Sequence, residues 1–488
     1  MESTPLAVVD IGSNSVRMVV YDGLKRVPMP LFNEKVLCGL GKDISKTGTL
    51  NKEGVKSAEE TLRRFIKLSK VLKASSLDMF ATAAVRDAKD GQAFIDKIYK
   101  KYGGKISTFS GEEEAYYAAM GIISSVAKAK GVVGDLGGGS LELLGIDKNT
   151  TSGKGVSLPI GPLRINNLKK TPPQKLSEFI SSHMKKYPLV KELSGKSFYA
   201  VGGAFRNIAK IHMTRTNYPL KVIHNYDVDA SDLLDTIKIV TRMPESALIK
   251  VPGITKKRLE FLPYAALILE SIITIGKPKN VVFVASGIRE GFLYSKLNDK
   301  LKAQDPLIAG CTDIMSRILP QDTYGQELHD WMSPLFENET THEKRLRLAA
   351  CIMSEISCFE NTEYKAELAY RMVLDSSLTG LDHRDRVFIA KSLYCRYSNE
   401  PDEHILMSMQ SLLNSKSLQS AHVIGSAMRL GRSLSCSHSG ILKHTPLQIV
   451  KNKLVLKLSP DNSDLDGEAI RKRSSQLAEI LGLDCKIV

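Results

Sequence analysis

The sequence predicts an α/β protein, with two related domains facing each other, then a mostly helical region and a small α+β tail. Two observations carry this. An apolar strand ending in Asp10, a Gly- and Ser-containing turn and a second apolar strand recur 125 residues later, starting from Asp135. An internal repeat of that length points to duplicated domains. From about residue 301, alternating strand and helix patterns give way to successive helical periodicities. At roughly 100–200 residues per domain, the length fits about three domains. Boundaries near 125 and 305 give segments 1–125, 126–305 and 306–488.

In chain order, residues 7–9 and 16–21 read as strands around the first turn. Val55, Ala58, Leu62, Phe65 and Ile66 fall on one face of a helix over 51–72. Residues 77–84 read as a buried strand, 92–102 as a helix, and 110 to about 129 as another. The repeat supplies strands at 132–135 and 141–146. Further strands are expected at 198–201 and 281–285, and helices at 173–186, 230–241 and 263–275. The C-terminal third predicts helices at 340–359, 364–374 and 384–397, a hairpin over 447–458 and a helix over 466–481.

Hydrophobic residues make up 43% and charged residues 25%, ordinary globular values that exclude wholesale disorder. The formal net charge is +15, which favours polyanionic partners without naming one. The seven cysteines form no CxxC pair, which argues against a zinc ribbon and for reduced thiols. Cys351 and Cys358, on one face of an expected helix, read as small buried hydrophobes. The first residues lack the basic and apolar regions of a signal peptide, and no apolar run is long enough to span a bilayer. The expectation is a soluble, cytoplasmic protein without a membrane partner or a sequence-specific nucleic-acid partner.

The chemistry concentrates in the two turns, Asp10 to Ser15 and Asp135 to Ser140. Gly137, Gly138 and Gly139 permit close backbone approach to an anion, and successive N–H groups in such turns form anion-binding nests. Ser13, Asn14, Ser15 and Ser140 add donors. A carboxylate before each turn repels phosphate unless a divalent cation lies between. No GxxxxGK[ST] occurs, and each turn leads into a strand instead of a helix, which excludes the P-loop and Rossmann fingerprints. Singly, either turn reads as an ordinary hairpin; two matching copies favour phosphate.

Ser110 and Glu113 fit a capping box, and Glu112 suits the first helical turn. Glu114 has no such structural role, and clustered carboxylates raise one another's pKa toward the range of a general base. Arg86, Arg164, Ser286 and Arg289 lie just after strands or tight turns, where open α/β folds bind ligands.

The ordered strings DIGSNS (10–15), ATAAVRDA (81–88), SGEEEA (110–115), GDLGGGSLEL (134–143), PIGPLRI (159–165), VGG (201–203) and ASGIREG (285–291) resemble the exopolyphosphatase/guanosine pentaphosphate phosphohydrolase (Ppx/GppA) family. The resemblance implies the actin/sugar-kinase/Hsp70-like fold, two RNase H-like domains with a cleft between them. It implies Glu114 and Arg86 as catalytic, with Asp135, Glu142 and Asp10 as ligands of Mg2+. It places phosphate at both turns, and a basic substrate position at Lys257 or Arg258. Ala204 stands where relatives often have Thr. The C-terminal third resembles, more weakly, an HD-phosphohydrolase-like domain with Ser354 and Glu355 in place of His-Asp, which implies a degenerate metal site and a binding or dimerisation role.

The expected function is Mg2+-dependent hydrolysis of the terminal phosphoanhydride of inorganic polyphosphate by a homodimer. The alternatives are hydrolysis of pppGpp, a nucleotide-binding regulator without turnover, and a kinase acting on a small acceptor. Basic clusters at 169–170, 185–186, 256–258 and 471–473 are candidates for a polyanion path.

Overall fold

The computed structural model describes residues 4–166, 171–255, 259–319, 323–398 and 408–488. The chain divides into two compact units, Met1–Ala303 and Gln304–Val488. The basic clusters at 169–170 and 256–258, with Lys257 and Arg258, lie outside the described residues.

The first unit holds two sheets. Strands β1 (Leu6–Ile11), β2 (Ser15–Tyr21), β3 (Pro30–Leu37), β4 (Leu77–Ala81) and β5 (Ile106–Thr108) run in the order β3-β2-β1-β4-β5. Strands β6 (Lys130–Leu136), β7 (Leu141–Asp147), β8 (Thr150–Leu158), β9 (Ser197–Val201), β10 (Tyr226–Asp229) and β11 (Asn280–Phe283) run in the order β10-β11-β9-β6-β7-β8. Reversed, the second order reproduces the first, with β10 added as an antiparallel edge. In both, an antiparallel meander leads into parallel neighbours of its first strand. Chain duplication is therefore visible in the topology as well as in the turns.

β1 and β6 are central and almost wholly buried, which suits their continuous Val-rich runs. β3 is an edge strand whose exposure alternates: Phe32 and Val36 pack on the core, while Leu31, Asn33, Lys35 and Leu37 are exposed. The expected strand over 77–84 stops at Ala81, and Ala83–Asp87 forms a helix instead. The helix expected to reach 129 is Gly111–Ser125, and the following chain enters β6 at Lys130.

The two sheets exchange helices. Gly111–Ser125 follows the first sheet in sequence, yet Ala115, Ala118 and Ile122 pack on Val133, Leu144, Val201 and Val282 of the second. Ile288–Ser295 follows the second sheet, yet Leu293 packs with Leu6, Val8, Val19 and Phe80 of the first. The helices cross at glycines: a Cβ on Gly291 would lie 1.7 Å from the Tyr117 carbonyl oxygen, and one on Gly121 2.4 Å from that of Gly287. This exchange ties both sheets into one body around the strand ends that carry the site.

In the second unit, the helices Pro306–Ile318, Thr341–Ile352, Lys365–Leu374, His383–Tyr397 and Ser415–Ser435 build a helical core. The helix expected over 340–359 ends at Ile352, so Cys358 lies beyond it, half-buried, while Cys351 is buried. A three-stranded sheet of β12 (Leu447–Val450), β13 (Lys453–Leu456) and β14 (Asp484–Ile487) carries the Glu468–Leu481 helix. Among the described residues, no helix is long and apolar enough to cross a membrane.

Candidate active site

The two Asp-containing strands end in equivalent turns. Gly12 N–H donates to the Ser15 carbonyl at 2.9 Å, and Gly137 N–H to that of Ser140 at 3.0 Å. Among the described residues, the N–H groups of Ser13 and Asn14, and of Gly138, Gly139 and Ser140, have no backbone partner. Successive N–H groups of this kind make two candidate anion nests. The nests face each other closely: a Cβ at Gly138 would lie 3.2 Å from Ser13 Cβ, and one at Gly139 3.4 Å from Ser13 Oγ. The second nest is braced from behind. Leu163 N–H donates to the Gly138 carbonyl at 2.9 Å, and Arg164 Nε to that of Gly139 at 3.1 Å.

Strand register sets the acidic pair. Asp135 opposes Glu142 across β6 and β7, as Asp10 opposes Arg17 across β1 and β2. The duplicated frame thus puts an acid in one half where the other half has a base. Glu142 is only 2% exposed and accepts from Ser157 Oγ at 2.7 Å. Burial first, then Asp135, raises its carboxyl above the ordinary range despite hydrogen bonds from Ser140 and Ser157. Asp135 is pushed up to about 6, by burial first and Asp10 among the charges, with Arg206 and Arg289 pulling the other way.

Glu114, 4% exposed, lies in the first turn of the Gly111–Ser125 helix. Its neighbour Glu113 is taken up by the capping box, accepting from Ser110 N–H at 2.8 Å while Ser110 Oγ accepts from Glu113 N–H. Glu114 instead turns inward to an ion pair with Arg86 Nη1, which also donates to the Phe109 carbonyl at 3.0 Å. Burial, then Glu142, raises the Glu114 carboxyl above the ordinary range, while Arg86 pulls it down. A buried carboxylate held in place by a guanidinium, beside a second acid, has the geometry and basicity of a water-orienting base.

The arginines are placed by named partners. Arg164 Nη2 reaches Asp87 at 2.6 Å, linking the second half to the first. Arg289 Nη1 donates to Asp10 Oδ2 at 2.9 Å, so both are engaged with each other, beside buried Ser286. Arg206 was invisible to sequence reasoning. It stands in the Gly203–Arg215 helix after β9, donates to the Ala285 carbonyl at 2.7 Å, and keeps a buried Nε without a partner. Burial, then Arg289, draws it down to about 10. The Gly202-Gly203 pair ending β9 is the only local signal that pointed to this corner.

Among the described residues, no three His, Cys, Asp or Glu side chains gather tightly enough to hold an ion unaided. Mg2+ commonly takes one or two carboxylates and completes its shell with water and substrate phosphates. Glu142, buried, and Asp135, half-buried, repel each other beside the two turns and fit an ion shared with a bound phosphate; Asp10 is already paired with Arg289.

The duplicated sheets thus bring two facing Asp-Gly turns, the Asp135–Glu142 acids and the Glu114–Arg86 ion pair into one unit. The Ppx/GppA phosphatase family matches residues 18–300, and the family described as "Exopolyphosphatase, C-terminal" matches residues 320–488. The chain belongs to the Ppx/GppA phosphatase family, a family of hydrolases. It is 23% identical over 433 residues to Retrograde regulation protein 2 of Saccharomyces cerevisiae, covering 81% of this chain and 73% of that protein. It is 24% identical over 308 residues to Exopolyphosphatase 1 of Mycobacterium tuberculosis, covering 60% and 89%. A Bifunctional 3-dehydroquinate synthase/phosphatase of Fusobacterium nucleatum is 26% identical, with 43% of its length covered. Solved structures share the fold. The Aquifex aeolicus family member has a TM-score of 0.51 at 22% identity, covering 60% of this chain and 97% of that one. An exopolyphosphatase from Cytophaga hutchinsonii has a TM-score of 0.53 at 21% identity, covering 60% and 97%.

Proposed function

We propose that the protein is an exopolyphosphatase that hydrolyses the terminal phosphoanhydride of inorganic polyphosphate and releases orthophosphate. The observation that carries this reading is the pair of facing turns together with buried Glu114 and its half-buried partner Arg86. The nests suit consecutive phosphates, and the acid suits an attacking water. The net charge of +15 favours a long polyanion over a single nucleotide.

Water oxygen bonds to the terminal phosphorus as the bridging P–O bond breaks. Glu114 accepts the water proton, and the shortened chain leaves with the bridging oxygen as a new terminal oxyanion. Arg86 holds Glu114 in position and presents positive charge toward the equatorial oxygens. The turn N–H groups of residues 13–14 and 138–140 fix the penultimate phosphates. Asp135 and Glu142 would hold Mg2+, which would supply charge neutralisation of the phosphates, while Asp10 stays paired with Arg289.

The same machinery suits the 5′ end of pppGpp, so orthophosphate release from polyphosphate and from pppGpp is measured side by side, with magnesium and with chelator. Faster release from polyphosphate supports the proposal. Turnover of pppGpp alone would replace it, and binding without turnover would make the protein a regulator.

A further inference from the structure

Asp87 ends the Ala83–Asp87 helix, and its two carboxylate oxygens take one arginine each. Oδ1 accepts from Arg86 Nε at 3.2 Å, and Oδ2 from Arg164 Nη2 at 2.6 Å. Each guanidinium is also held on its other side. Arg86 Nη1 pairs with Glu114 and donates to the Phe109 carbonyl at 3.0 Å. Arg164 Nε donates to the Gly139 carbonyl at 3.1 Å. A continuous chain of contacts therefore runs from Glu114 through Arg86, Asp87 and Arg164 to the second turn.

The last contact sets a direction. The Gly139 carbonyl belongs to the peptide that carries the Ser140 N–H. In a planar trans peptide the two point opposite ways. Holding the carbonyl from behind aims the N–H into the turn, where a phosphate oxygen would meet it. The first residue of the Ala83–Asp87 helix closes on the same turn: a Cβ at Gly139 would lie 3.5 Å from Ala83 Cβ. The Arg164 and Asp87 side chains are 36% and 31% exposed, and an ion pair so exposed adds little to stability. What it supplies is alignment, because one carboxylate fixes two planar guanidinium forks relative to each other.

We propose that Asp87 is a positioning residue that sets the Glu114 carboxylate in register with the second phosphate turn, a role that rests on the exopolyphosphatase reading above. It acts through Arg86 on the acid and through Arg164 on the turn, so that water and terminal phosphorus meet in line.

The test compares Asp87→Asn, Asp87→Glu, Arg164→Gln and the double variant Asp87→Asn with Arg164→Gln against the native full chain. Orthophosphate release from polyphosphate gives kcat and KM. Calorimetry with a methylene-bridged triphosphate, which cannot be hydrolysed, gives affinity with magnesium present. Asp87→Asn should lower kcat by about tenfold or more, since small misplacements of reacting groups are costly. Asp87→Asn and Arg164→Gln should each weaken binding of the analogue by about threefold or more, and the double variant should bind no more weakly than the worse single one, because both break one link. Asp87→Glu keeps the carboxylate and should recover most of kcat, and all melting temperatures should stay at the native value. Additive losses in the double variant, native kcat and affinity in Asp87→Asn, losses that follow a lowered melting temperature, or no binding of the analogue by the native chain would overturn the proposal. A native chain that binds the analogue but releases no orthophosphate would refute the exopolyphosphatase reading alone, and the affinities of the single and double variants would still decide the link between Asp87 and the turn.

Discussion

Replacing Glu114 by Gln isolates the chemistry from the scaffold. The amide keeps the size of a side chain that is 4% exposed and removes the charge that would accept a proton. Losing a general base is worth roughly 10²–10⁴ in rate. At about 1.4 kcal/mol per decade, that is roughly 3–5 kcal/mol on the barrier. The fold should tolerate the change. Arg86 keeps the Phe109 carbonyl and Asp87 as partners, and the repulsion between Glu114 and Glu142 is relieved. The assay pairs orthophosphate release with polyphosphate binding, for this variant and for Glu113→Gln. Glu113 belongs to the capping box, whose third position takes Gln as well as Glu, so its variant should keep both its stability and its turnover. An active Glu114→Gln alongside an inactive, folded Glu113→Gln would refute the reasoning.

Asp135→Asn should raise the magnesium needed for half-maximal release or abolish release, and chelator should silence the native protein; full activity in chelator would exclude the ion. Gly291→Ala forces a methyl to within 1.7 Å of the Tyr117 carbonyl oxygen, and thermal unfolding should show a loss of at least about 1–3 kcal/mol. His212 accepts or donates at 2.6 Å with Tyr226 and is drawn down to about 4, by burial first and Arg215 second. Its folded pKa lies below the unfolded value of about 6.5, so the unfolded chain binds the extra proton between those values. Its stabilising contribution is complete above pH ~6.5 and is lost as pH falls toward about 4. Unfolding of His212→Gln across that window should show a shallower pH slope than the native chain.

The turns were legible because their chemistry is local: Asp, Gly and Ser at fixed offsets demand a tight connection wherever they occur. The capping box at Ser110 and Glu113 was legible for the same reason. β3 was missed because apolar residues fall on both of its faces: Phe32 and Val36 pack on the core with Glu34 between them, while Leu31, 56% exposed, and Leu37 lie on the outer face. The strand expected over 77–84 was overextended because Ala83 and Ala84 are as apolar as a strand residue, while their helix is set by the turn at Thr82. The exchange of helices between sheets is a long-range packing choice that periodicity does not encode. Arg206 was missed because an arginine with a buried Nε is written like any exposed one. The acid at Glu142 was reached through family resemblance, yet the repeat contains it: the offset relating Asp10 to Asp135 also relates Arg17 to Glu142, a contrast between two otherwise matching strands.

The most direct test of the central claim is polyphosphate turnover in oxygen-labelled water with magnesium, following released orthophosphate and its label. The account predicts steady release from the native chain, with one labelled oxygen entering each orthophosphate at the bond-breaking step. Polyphosphate that binds but releases no labelled orthophosphate would contradict it.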